Sequence, residues 1–484
     1  MKNSILLLLF PFCLISCEKE LQKPLLLAQS STTILTEKTK QSVQKKQPNF
    51  ILIVADDLGF GDLSLNGSLQ IKTPNIDRLA KTGVNFTEGY VSSAVCSPSR
   101  AGFLTGRNQV EFGHDNNLGG TQPGFDSQYL GLPIGQKTIP DRLKTLGYMN
   151  GLIGKWHLGS LPQFHPLKRG FDEFWGYTGG GHDYFTSNLT AKSGYKVPIQ
   201  SNYKTPDPIT YITDDVGNES VDFIKRHKNE PYFLFASFNA PHTPMQATTA
   251  DLKIYAHIKN KKRRTYAAMV HRLDVNVGKI MAAVKASGQE DNTLLVFISD
   301  NGGPVFYNAS NNSPYNGQKG ILLEGGIHVP YIMNWKNTLP AGTTYKKPVS
   351  SLDFAATFME LAGGTIKEED KLDGVNLIPF ILQQTTKEPH AVLKWKFTIS
   401  SAIRKGDWKL IRIPDRLPML YNLSTDVSEQ NNLALKNIDI TTDLLKRLGI
   451  WEVGLQHPVF LEGAVWKKNQ LSLYDRKYPL TQPK

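Results

Sequence analysis

Four short polar clusters in this chain each follow an apolar run, and their residue types suit a single site. Asp56-Asp57 follows Phe50-Ile51-Leu52-Ile53-Val54. Lys155-Trp156-His157 follows the run from Tyr148 to Ile153. His242, in Ala240-Pro241-His242-Thr243-Pro244, follows Tyr232-Phe233-Leu234-Phe235-Ala236. Asp300-Asn301-Gly302-Gly303 follows Leu294-Leu295-Val296-Phe297-Ile298. Asp56, Asp57, Asp300 and Asn301 offer only oxygen donors, which suits a hard divalent cation. Each cluster alone is weak, because Asp-Asp and Asn-Gly-Gly also make ordinary turns. Four of them after four apolar runs form a constellation.

A fifth stretch carries a possible nucleophile. In Cys96-Ser97-Pro98-Ser99-Arg100, followed by Leu104-Thr105-Gly106, Ser97 and Pro98 predict an N-cap and first helical residue, and Gly106 predicts the stop. Cys96 is then expected just ahead of a helix N-terminus, where free N–H groups favour an anion. Arg100 is expected to fold back toward it. A cysteine so placed could be an activated thiolate, yet no base or acceptor lies nearby in sequence. The chain has three cysteines, 13, 17 and 96. The first two fall in a leader, so Cys96 is left with no partner for an internal disulfide.

The elements that must position these groups are legible as well. The apolar runs read as buried strands, and helical patterns alternate with them. Thr73-Pro74 opens one helix, and Tyr266, Met269, Leu273, Val277, Ile280 and Val284 mark another that ends at Gly288. The expectation is an α/β fold with a large, mostly parallel sheet flanked by helices, its polar residues gathered beyond the strand ends where ligands bind. After about residue 390 short runs at Trp395–Ile399, Trp408–Arg412 and Leu420–Leu423 predict a small antiparallel sheet.

The N-terminus reads as a leader: Lys2, then an apolar run from Ile5 to Ile15 too short to span a bilayer. Leu14-Ile15-Ser16-Cys17 resembles the bacterial lipobox, which implies lipid on Cys17. The expected organisation is a lipoprotein-type signal at 1–17, a polar tether at 18–48, an α/β domain at 49–388 and a small C-terminal α+β domain at 389–484. The chain of 484 residues has 55 Lys and Arg against 43 Asp and Glu, a net charge of +12. That surplus favours anionic partners. No basic block with interleaved aromatics points to nucleic acid.

Cys96-Ser97-Pro98-Ser99-Arg100 with Leu104-Thr105-Gly106 resembles the signature of the type I sulfatases of the alkaline phosphatase superfamily. The other clusters occur in that family's order, through Lys319 in Gly317-Gln318-Lys319-Gly320, and Ala402-Ile403-Arg404-Lys405-Gly406-Asp407-Trp408-Lys409-Leu410 is similar as well. The resemblance implies an alkaline phosphatase-like fold and a Cys96 oxidised to formylglycine by a separate maturing enzyme. It implies a formylglycine hydrate that attacks the sulfur of a sulfate ester and then expels sulfate. It implies one calcium ion on Asp56, Asp57, Asp300, Asn301 and the residue-96 side chain. Arg100, Lys155 and Lys319 would neutralise nucleophile and sulfate; His157 would serve the hydrate as base; His242 would protonate the leaving oxygen. His114, His182, Asp183 and Arg404 are candidate sugar contacts. The expected substrate is a sulfated polysaccharide or its oligosaccharides, met by an exported bacterial lipoprotein, periplasmic or on the outer membrane or cell surface, with no nucleic acid partner. The alternatives are an arylsulfatase, a phosphonate or phosphodiester hydrolase on the same fold, a cysteine hydrolase and a non-catalytic glycan-binding lipoprotein.

Overall fold

The computed structural model describes residues 46–118, 127–187, 197–206, 208–460 and 464–479. The leader, Cys13, Cys17 and the tether up to residue 45 lie outside the described residues. Among these, no helix is long and apolar enough to cross a membrane.

Fifteen strands occur among the described residues: β1 Asn49–Ala55, β2 Val84–Phe86, β3 Gly89–Tyr90, β4 Met149–Lys155, β5 Glu173–Tyr177, β6 Gln200–Ser201, β7 Tyr232–Ser237, β8 Thr293–Ser299, β9 Tyr331–Asn334, β10 Thr343–Tyr345, β11 Val349–Ser350, β12 Leu393–Phe397, β13 Ser400–Lys405, β14 Trp408–Arg412 and β15 Met419–Asn422. Nine build one sheet in the order β10-β2-β9-β8-β1-β7-β4-β5-β6. Its centre, β8-β1-β7-β4-β5, is parallel; β9 and β6 are antiparallel to their neighbours. The expected α/β class with a mostly parallel sheet is therefore what forms.

The central strands are apolar without interruption because both their faces are covered. Alternate residues of β1 serve different cores, as a two-residue period requires. Phe50, Leu52 and Val54 pack with Phe103, Phe354 and Phe358. Ile51 and Ile53 pack with Phe223, Tyr266 and Met269 on the other face. The register then sets the site. Ala55 pairs with Ser299, Val54 with Ser237 and Gly154 with Ser237, so β1, β8, β7 and β4 end together at one edge.

β12-β13-β14-β15 form the expected antiparallel sheet. One face, with Ile403, Leu410 and Leu420, packs on Leu444, Leu448 and Trp451 of the helix Ile438–Val453. The other face, with Trp395, Ala402, Ile411 and Tyr421, joins the large core. Two expectations are corrected here. The first strand starts at Leu393 and stops at Phe397, and Ser400–Lys405 is a full strand that the polar Ser-Ser-Ala-Ile-Arg-Lys pattern concealed. The helix Pro74–Lys81 opens at Thr73-Pro74 as expected, but the Thr73 side chain makes no capping hydrogen bond. The Asp274 carboxylate accepts its first N–H groups, from Asn75 and Ile76.

Candidate active site

The helix Cys96–Thr105 begins with Cys96 itself, after Val95 as N-cap. This corrects the expected start. Ser97 is in the first turn, and its hydroxyl is used elsewhere: it donates to His157 O at 2.8 Å and meets His114 Nε2 at 2.8 Å. Gly106 ends the helix at φ 71° as expected, its N–H donating to Gly102 O.

Around the Cys96 sulfur the four strand ends and two loops converge. Asp56 Oδ1 lies 3.3 Å from Sγ and Asp57 Oδ1 3.9 Å. Lys319 Nζ lies 3.0 Å from Sγ and 2.7 Å from Asp57 Oδ1. Lys155 Nζ pairs with Asp56 Oδ2 at 2.5 Å. Arg100 grips Asp300, with Nε and Nη2 at 3.0 and 2.9 Å from Oδ2. Its Nη1 donates to Ser237 Oγ and Lys155 O, which ties β7 and β4 to the helix. The Asn301 amide donates to Asp57 Oδ1 at 2.6 Å. Asp57 and His157 both adopt left-handed backbone, φ 67° and 60°, which turns each side chain back over its strand end.

The donor set fits a hard divalent cation. One ligand atom each from Asp56, Asp57, Cys96 and Asp300 lies within 4.8 Å of the others. Asn301 Oδ1 is buried with no hydrogen-bond partner. Three buried carboxylates and an orphaned amide oxygen on one point are costly without a positive charge between them. Asp300 shows that cost: burial and the Asp56 charge raise its pKa to about 6. For Asp57 burial acts the same way, but Lys319 and His242 outweigh it and hold the pKa at about 2.

Burial, with Asp300 and Asp56, pushes the Cys96 thiol well above its ordinary value. The unmodified side chain is thus a neutral thiol, against a cysteine-hydrolase chemistry. Burial lowers His242 to about 3, although Asp57 Oδ2 at 3.6 Å opposes this. Its Nδ1 meets Thr243 O at 2.6 Å. Burial and the Lys155 charge keep His157 neutral. Its Nε2 meets Leu118 O at 3.2 Å, and Nδ1 is buried with no hydrogen-bond partner. A cleft of about 380 Å³ opens onto Asp57, His242 and Lys319.

Comparison with known proteins decides what this arrangement belongs to. The Sulfatase family model matches residues 48–364, and a model for the N-sulphoglucosamine sulphohydrolase C-terminal region matches 317–451. The chain belongs to the sulfatase family. Human N-acetylgalactosamine-6-sulfatase is 33% identical over 354 residues, which cover 69% of this chain and 66% of that enzyme. An uncharacterized sulfatase of Escherichia coli, YdeN, is 31% identical over 493 residues, covering 83% and 84%. The crystal structure of Ps i-CgsB superposes with a TM-score of 0.82 and 37% identity over 89% of this chain and 98% of that one.

The four candidate sugar contacts of this sulfatase each bond within the protein. His114 is fully buried between Ser97 and the Phe460 ring. His182 meets the backbone oxygens of Asp183 and Val197. Asp183 accepts from the N–H groups of Phe185 and Thr186 and from Gln246. Arg404 pairs with Glu88 at 2.5 Å and stacks on Tyr90, where it joins the two sheets. None lines the cleft. Its walls are instead Thr243, Pro304, Phe306, Tyr307 and Gln318, with Trp466, Asn469, Ser472, Leu473 and Lys477 from the C-terminal segment. Sequence reasoning missed these. The one available signal was the Phe306-Tyr307 pair just past Asp300-Asn301-Gly302-Gly303; Trp466 to Lys477 offered none.

Proposed function

We propose that this chain is an exported sulfatase that removes sulfate ester groups from a sulfated polysaccharide or its oligosaccharides, with residue 96 acting as formylglycine beside one calcium ion. The observation that carries the reading is Lys319 Nζ 3.0 Å from the residue-96 side chain, over a pocket of three carboxylates and an orphaned amide oxygen. The substrate class is supported by N-acetylgalactosamine-6-sulfatase relatives and by the complex of Ps i-CgsB with k-i-k-neocarrahexaose, 37% identical with a TM-score of 0.81.

Formylglycine, made from Cys96 by a maturing enzyme, would supply a geminal diol as nucleophile toward sulfur, with a second hydroxyl whose proton can later be removed. Asp56, Asp57, Asp300, Asn301 and the residue-96 side chain would hold calcium, which would supply Lewis acidity there. The chain's own residues do the rest. Lys319 and Lys155 place ammonium groups on Asp57 and Asp56 at the floor, where charge develops on the sulfuryl oxygens. Arg100 fixes Asp300 and the β4 and β7 ends. His157 presents Nδ1 as the base for the second hydroxyl proton. His242, on the cleft wall, holds the proton for the departing sugar oxygen. A sulfate monoanion in the cleft favours the protonated ring, against the burial that lowers it in the free enzyme.

Export and a lipid on Cys17 remain part of the proposal; both sit on the leader. The test is turnover of a panel of defined sulfated oligosaccharides beside an aryl sulfate and a phosphonate monoester. A sulfated oligosaccharide with the highest kcat/KM is expected. A phosphonate or aryl ester turned over best would overturn the substrate class.

A further inference from the structure

We infer that the C-terminal segment forms a specificity wall which selects substrates carrying a second anionic group beside the sulfate that is cut. The inference rests on the sulfatase reading above. The matched family models end at residue 451, yet Trp466, Asn469 and Lys477 line the cleft over Asp57, His242 and Lys319.

The segment is built into the site. Gln470 is buried and donates to Gly320 O, Phe397 O and Ser400 Oγ. The Tyr474 hydroxyl accepts from Leu322 N at 2.9 Å. Gly320 adopts φ +91°, and a Cβ there would stand 2.7 Å from the Trp466 ring. Trp466 thus rests directly on the loop that carries Lys319. Across the cleft, Phe306 and Tyr307 are 45% and 64% exposed. Exposed aromatic faces around a cleft of about 380 Å³ mark a binding groove, in the roughly 300–1,000 Å³ range of small-ligand sites.

The charge at this rim names the ligand chemistry. Lys477 Nζ sits 5.1 Å from the Phe306 ring centre, and Lys262 Nζ donates to Phe306 O at 3.4 Å. Among the described residues neither pairs with a carboxylate. Lys319, by contrast, is committed to Asp57. Lys477 on the cleft wall, with Lys262 on the Phe306 carbonyl, suits a sugar whose scissile sulfate lies at the floor and whose further sulfate or carboxylate lies at the rim.

The test compares Lys477→Gln and the double variant Lys262→Gln/Lys477→Gln with wild type, and with Lys225→Gln as a control for lost net charge. Both rim lysines are exposed, so folding is not at stake. Three oligosaccharides share the scissile sulfate; one adds a second sulfate, one adds a carboxylate, and one adds neither. The preference in kcat/KM for a charged substrate over the neutral one should fall about tenfold in Lys477→Gln and not in Lys225→Gln. The charged substrate that responds identifies the anion. An unchanged preference for both, or the same fall in Lys225→Gln, overturns the inference. If wild type cleaves none of the three, the proposed substrate class has failed separately. Calorimetric binding of the same oligosaccharides then decides the wall: weaker binding of a charged one to Lys477→Gln supports it, and equal binding overturns it.

Discussion

The ammonium of Lys319 stands 3.0 Å from the sulfur of Cys96. Burial works against this cation, but Asp57, with Asp56 and Asp300 nearby, outweighs it and holds its pKa well above the ordinary lysine value. It therefore stays charged and faces the residue-96 side chain. Lys319→Met should lower kcat by about 10²–10³. Steady-state kinetics on a soluble sulfate ester measures this, and a loss below threefold, roughly 0.65 kcal/mol, would remove Lys319 from the chemistry.

Cys96 is buried, neutral and unpaired with any other cysteine. A protonated thiol is a poor nucleophile toward sulfur. Active protein should therefore carry an aldehyde at residue 96. Mass spectrometry of the tryptic peptide from Thr82 to Arg100 should show the loss of the thiol in favour of an aldehyde. Fully active protein with an intact thiol would refute the formylglycine mechanism.

The cation leaves a signature in stability as a function of pH. Asp300 has a folded pKa of about 6 against 3.8, so the folded state binds that proton more tightly. Stability of the metal-free protein must then fall as pH rises from 3.8 to about 6, and stay lower above. Asp57 acts oppositely and only below 3.8, where stability is lost as pH falls toward about 2. On the proposed reading, bound calcium would take the proton's place on Asp300. The difference in Tm between calcium-loaded and chelated protein should widen as pH is raised through the Asp300 window. A constant difference would show that Asp300 is not a ligand.

His242 lines the cleft and contacts Asp57. If it protonates the leaving oxygen, His242→Ala should cost a sugar sulfate roughly 10²–10⁴ in kcat/KM. An activated aryl sulfate, whose phenolate leaves unaided, should lose much less. Equal losses on both substrates would reduce His242 to a positioning role.

Gly154 tests how the fold delivers Lys155. Its φ is +110°, and a Cβ there would lie 1.9 Å from Ser237 O, on the neighbouring strand β7. Gly154→Ala should destabilise the protein by several kcal/mol, on the order of 3–5. A thermal melt within a degree or two of wild type would show that β4 and β7 can move apart at their ends.

The sequence by itself determined the chemistry and most of the frame. Asp56-Asp57, Asp300-Asn301, Lys155-Trp156-His157 and Cys96-Ser97-Pro98-Ser99-Arg100 were legible because each is a local pattern, a polar cluster on the end of an apolar run. The central strands were legible for the same reason: burial on both faces leaves an unbroken apolar stretch. What only the tertiary structure decided depends on partners far apart in the chain. Arg100, expected near Cys96, finds its carboxylate partner in Asp300, 200 residues away, because a buried guanidinium needs a buried carboxylate. His114, His182, Asp183 and Arg404 each have a protein partner that no local pattern reveals. The cleft wall from Trp466 to Lys477 was invisible for the same reason. Its place is fixed by Gln470 reaching Gly320, Phe397 and Ser400, contacts that exist only once the chain has closed on itself.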